Sequence, residues 1–120
     1  MEQEYPKTAV FHGMVSITGL SGFFENKSLQ IRSGDIITIG RDRAHATLLF
    51  PPDQDHISAM HCELIFDSES GRLDLKDSDS KNGTFLGNGQ RLEPGIPYEI
   101  KDNDTFYVAE KENMFLVRIY

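Results

Sequence analysis

The sequence predicts an all-β domain, a sandwich or a barrel, built from about eleven short strands. Apolar and polar residues alternate with period two along most of the chain. No window of helical length keeps a 3.6-residue period. Turn clusters rich in Gly, Pro, Asn, Asp and Ser recur at intervals of roughly 8 to 12 residues, the spacing of sandwiches and barrels.

Taken in order, FHGMVSIT at 11–18 alternates and is closed by GLSG at 19–22. SLQIR at 28–32 alternates again and ends at Ser33-Gly34, where Gly allows a sharp turn. DIITIG at 35–40 and ATLLF at 46–50 are short β-type runs, the second stopped by PPDQD at 51–55. HCELIFD at 61–67 and GRLDLK at 71–76 flank the turn DSESG at 67–71. Asn82-Gly83 and Asn88-Gly89 are hairpin signals around GTFL at 83–86 and QRL at 90–92. EPG at 93–95 precedes YEIK at 98–101, DND at 102–104 precedes TFYVA at 105–109, and MFLVRIY at 114–120 closes the chain.

The 120 residues are expected to form one domain over 1–120, with a core from about 11 to 120 and a flexible lead-in over 1–10. No run approaches the 18 or so apolar residues of a membrane span, and MEQEYPKTAV carries no signal-peptide core, so a cytoplasmic location is expected. Cys62 is the only cysteine, which excludes an intrachain disulfide, and its alternating strand context points to a small buried thiol. Nineteen acids against twelve Lys and Arg give a net charge of −7, which argues against nucleic acid, whose readers need a basic stripe. Any anion site must therefore be local. No partner subunit is called for, and a monomer is expected.

Three loops hold candidate chemistry. Arg41 ends a strand, and its planar guanidinium fork matches phosphate oxygens bidentately; Gly40 before it permits close backbone approach. Ser58 offers a hydroxyl and a backbone amide as donors, and His61 three residues on suits a loop-fixing imidazole. Asn82 can pair through its amide with a peptide backbone, with the mobile charge of Lys81 beside it. These loops are separated by one or three strands, and an antiparallel meander is expected to bring all three to one end of the domain. Metal and enzyme chemistry find no support. The four histidines lack ligand spacing. DSDSKNG begins like a calcium loop but has Lys81 at the fifth position and Asn82 where glycine is required. No nucleophile elbow, Walker loop or paired carboxylates appear, and most aspartates fall in turns, where they cap and solvate. No cofactor is called for.

Taken together, IGRDRAHATLLF at 39–50, HISAMHCEL at 56–64 and DSDSKNGTFLGNGQRL at 77–92 resemble a forkhead-associated (FHA) domain: Gly-Arg, then Ser-x-x-His, then Asn-Gly-Thr and a second Asn-Gly. The resemblance spans almost the whole chain, from about Phe11 to Tyr120. It implies an eleven-stranded β-sandwich of two twisted sheets whose apical loops bind a phosphothreonine peptide without catalysis, downstream of Ser/Thr kinases. It implies phosphate ligation by Arg41 and Ser58, a hold on the peptide backbone by Asn82 just after the phosphothreonine, and loop support from Gly40, His61, Gly83 and Thr84. Two positions depart from the family. Ala59 follows Ser58 where Arg or Asn is frequent, and Lys81 stands where Thr is frequent, so Lys81 or Arg43 is left to supply phosphate contacts. The residue three beyond the phosphothreonine, which the family usually reads, would face His56 and residues 86–90. The competing reading is a phospho-independent interaction domain of the same fold.

Overall fold

A computed structural model describes residues 14–32, 34–67 and 69–120. The lead-in over 1–10 and the first three residues of the expected opening strand lie outside the described residues, as do Ser33 and Ser68 in their expected turns. The chain forms two five-stranded sheets. The strands are β1 Val15–Gly19, β2 Ser28–Ile31, β3 Ile36–Gly40, β4 Leu48–Leu49, β5 Cys62–Asp67, β6 Arg72–Asp77, β7 Thr84–Leu86, β8 Tyr98–Ile100, β9 Thr105–Val108 and β10 Met114–Ile119. One sheet has the order β2-β1-β10-β9-β7 and the other β4-β3-β5-β6-β8.

The alternation works as anticipated. Val15 and Ile17 of β1, Leu64 and Phe66 of β5, Leu73 and Leu75 of β6, and Phe115 and Val117 of β10 all point inward and are buried. Each such side chain contributes roughly 1.5–3 kcal/mol by leaving water. Cys62 is buried among them, and desolvation pushes its thiol far above the usual range, so it acts as an inert apolar group.

Among the described residues ten strands form rather than eleven. The expected strand at 90–92 reduces to one bridge, Phe85 to Arg91. The physical reason is a change of sheet: β7 belongs to one sheet and β8 to the other, so the chain must leave its partner almost at once. Leu92 turns inward and is buried, and Gly95 N–H donates to Asp77 O on the opposite sheet. A second difference is a 3-10 turn at Gly22–Phe24, which extends the expected turn at 19–22.

The meander expectation needs correction. In a strict meander, loops separated by one strand emerge at opposite ends, which would part Arg41 from Ser58. The structure unites them because β4 is parallel to β3, with Ile39 opposite Leu48 and Gly40 opposite Leu49. The 41–46 segment doubles back, so β4 finishes at the end where β3 finished. β5 and β6 then run antiparallel down and up, returning the chain to the same apex at Asp77.

Candidate functional site

The apex is assembled from the segments after β3, β4 and β6, and hydrogen bonds between them fix its shape. Gly40 is where two of them meet. Arg41 N–H donates to Ala59 O at 3.0 Å, and a Cβ on Gly40 would lie 2.0 Å from that same oxygen. Only glycine permits this approach.

Arg41 is half-buried and turned along the 50s segment. Its Nε donates to Ile57 O at 2.5 Å and one Nη to Pro52 O at 3.3 Å. A guanidinium has five N–H groups, so three remain for an anion while two hold the plane in place. Ser58 Oγ accepts from Lys81 N–H at 3.0 Å, which leaves its own O–H free to donate. The Ser58 amide, expected as a second donor, is committed elsewhere: it donates to His61 Nδ1 at 3.0 Å. His61 Nε2 therefore carries the ring proton and donates to Gly83 O at 2.7 Å. The imidazole is fully buried and bridges the Ser58 and Asn82 loops through these two hydrogen bonds.

Burial lowers the His61 pKa below its ordinary value of 6.5, outweighing the Gly83 carbonyl and Asp77, which favour the charged form. The unfolded chain therefore takes up a proton at this site near pH 6.5 while the folded chain resists. Stability should be full above that pH and fall as pH drops toward 5. Denaturant titrations at pH 7.5 and 5.5 are expected to show this loss, and His61→Gln is expected to reduce it.

Asn82 is exposed; its Nδ2 donates to His56 O at 2.8 Å, leaving Oδ1 for a ligand. Gly83 follows with φ +93°, a conformation side chains resist. Thr84 is buried, and its hydroxyl donates to Asp77 Oδ1 at 2.7 Å. Asp77 departs from the general expectation that aspartates sit in turns to cap and solvate, because it is buried. Its buried carboxylate also accepts Ser80 Oγ–H at 2.6 Å and Ser80 N–H at 3.0 Å, while Ser80 Oγ accepts Gly83 N–H. This network shapes the loop that carries Lys81 and Asn82. The one signal in the sequence is the pair of hydroxyls three and seven residues after an Asp that ends an alternating strand.

Among the expected specificity residues, His56 Nε2 lies 2.9 Å from Glu110 Oε2 in the turn after β9, so it is already engaged. Residues 86–90 lie at the far end of β7 from Gly83, about 10 Å along the strand. Leu86, Gly87 and Asn88 border Asn103 and Asp104 there. Arg43 is exposed and lines a cleft together with Arg41. Lys81 is exposed, and among the described residues Arg41, Arg43 and Lys81 make no ion pair. Three cations without ion pairs thus lie on the segments that build this apex, in a chain of net charge −7. Also among the described residues, no cluster of His, Cys, Asp and Glu suits a metal ion, and no helix is long and apolar enough to cross a membrane.

A family model described as the FHA domain matches residues 37–109, a span that contains all three apical loops. The chain belongs to the FHA-domain family. FHA domains are binding modules, and the apex described above occupies the matched region. The E3 ubiquitin-protein ligase CHFR of Xenopus tropicalis is 36% identical over 76 residues, which is 63% of this chain and 12% of that protein. This FHA chain thus spans about an eighth of its curated relative. The solution structure of the FHA domain of an Arabidopsis thaliana hypothetical protein superposes with a TM-score of 0.75 at 26% identity, over 89% of this chain and 86% of that one. The MEK1 FHA domain, crystallised with a HOP1 phosphothreonine peptide, matches with a TM-score of 0.68 at 24% identity, over 88% and 95% of the two chains. That second likeness is one of fold.

Proposed function

We propose that this FHA domain is a non-catalytic reader of phosphothreonine in partner proteins, acting downstream of a Ser/Thr kinase. The observation that supports the proposal is the set of hydrogen bonds that joins the loops carrying Arg41, Ser58, Lys81 and Asn82. In this reading the free N–H groups of Arg41 and the Ser58 O–H donate to the phosphate, and Lys81 adds a mobile charge. A charge-assisted fork of this kind is among the stronger polar contacts available to a protein. Asn82 Oδ1 accepts from the peptide N–H just after the phosphothreonine. Gly40, His61, Gly83 and Thr84 hold the loops in register without touching the ligand.

Lys81 replaces the hydroxyl frequent at its position by a longer, charged group, and Ala59 contributes only backbone. The consequence is a site that relies more on charge and less on fixed hydrogen bonds, and so more on low salt. Free phosphate is a poor ligand, because association costs several kcal/mol that one anion cluster does not offset without flanking peptide contacts.

Calorimetry with a phosphothreonine-centred peptide pool, degenerate at the flanks, tests the reading. The phosphothreonine pool is expected to bind and the unphosphorylated pool to show no heat. The phosphoserine pool should bind roughly fivefold more weakly, as expected for one unburied methyl at about 0.8–1 kcal/mol. Equal binding of all three pools would contradict it.

A further inference from the structure

The phosphate apex does not end at Arg41. Beyond it lies an open cleft of about 340 Å³ walled by Phe23, Leu49, Phe50 and Pro51–Pro52, with Arg41 and Arg43 on its rim. Its floor is apolar, yet two of its walls face solvent: Phe23 is 51% exposed and Leu49 37%. An exposed aromatic is ordinary when loose, but Phe23 is held. Its ring meets Phe24 edge-on at 4.9 Å and lies 6.1 Å from Phe50. It is carried on the rigid 3-10 turn, where Gly22 at φ +81° fits against Glu112 O and the buried Asn113 side chain. An apolar ring fixed half in water, adjoining a charged site, has the form of a recognition anchor.

We infer that this cleft receives a large apolar side chain of the ligand, two to four residues before the phosphothreonine. The inference rests on the phosphothreonine reading and extends it. Direction follows from the order of groups across the apex. Arg41 reaches from Ile57 O, beside Ser58, to Pro52 O in the cleft wall. Asn82, which receives the backbone after the phosphothreonine, bonds His56 O and does not line the cleft, so the cleft is assigned to the preceding segment. Reach follows from strand geometry: an extended peptide advances about 3.3 Å per residue, so two to four residues cover about 7–13 Å. The cleft shares Arg41 with the phosphate site, so the two subsites are contiguous. Two guanidinium groups at the rim match a ligand that carries phosphate and repel one that is basic at the same positions.

The test uses degenerate phosphothreonine peptide pools, each with Leu, Phe, Ala or Lys fixed at one position from −4 to −1 or +1 to +4, read by fluorescence anisotropy. Wild type is expected to favour Leu or Phe over Ala roughly tenfold at one position between −4 and −2. Phe23→Ala and Leu49→Gln are both expected to abolish that preference while still distinguishing phosphothreonine from threonine. Two exposed positions are used so that a folding defect in one variant, checked by its melting temperature, does not decide the outcome. A flat profile before the phosphothreonine, a preference untouched by both variants, or a Phe23-dependent preference on the other side overturns the cleft assignment alone. Absence of binding by every pool overturns the phosphothreonine reading itself and the cleft with it.

Discussion

Arg41→Ala is expected to weaken binding of the phosphothreonine pool by roughly 30- to 1,000-fold, the equivalent of about 2–4 kcal/mol for a truncated charge-assisted pair. The side chain is already oriented by Ile57 O and Pro52 O, so its remaining N–H groups bind without having to be ordered first. Pro52 is exposed, so its carbonyl can turn to water when the arginine is removed, whereas Ile57 is buried and its carbonyl loses a partner. The variant should therefore lose about 1–3 kcal/mol of stability. Arg41→Lys keeps the charge and loses the fork, and is expected to fall between wild type and alanine. Calorimetry paired with a thermal melt separates the two effects. Unchanged affinity in a folded Arg41→Ala protein would remove Arg41 from the site.

Asp77→Ala should have the largest effect on stability. Three donors, Ser80 N–H, Ser80 O–H and Thr84 O–H, converge on this buried carboxylate. Alanine leaves them without an acceptor in a place water does not fill well. A loss of about 2–4 kcal/mol is expected, or roughly 10 °C in melting temperature. Because the same network sets the path from Ser78 to Gly83, phosphothreonine affinity should fall even though Asp77 touches no ligand. Asp77→Asn retains the shape and one acceptor oxygen, and should restore part of both. A melting temperature within a few degrees of wild type for Asp77→Ala would contradict this account of the loop.

Much of this is legible in the amino-acid sequence. Period-two burial is a local property, so strands such as 61–67 and 71–76 could be read from Leu64, Phe66, Leu73 and Leu75 alone. The order Gly40-Arg41, Ser58, His61, Asn82 pointed to one apex. What was not legible depended on pairing between distant segments. The parallel β4 hides in ATLLF, which reads equally well as an antiparallel strand, and it reverses the end at which Ser58 emerges. Whether the Ser58 amide is free depends on the rotamer of His61. Asp77 looks like any other strand-end aspartate until Ser80 and Thr84 fold over it. Phe23 lies in a turn cluster, and nothing local says that Phe24 and Phe50 will hold it upright.

The central claim is that phosphate recognition resides in the apex formed by Arg41, Ser58 and Lys81. Titrating the isotope-labelled protein with the phosphothreonine pool, and in parallel with its unphosphorylated counterpart, tests this most directly by amide chemical shifts. The largest shifts are expected at residues 41–43, 57–59 and 80–83, with the phosphorylated pool alone. Shifts on a sheet face, equal for both pools, would contradict the claim and favour a phospho-independent interaction domain.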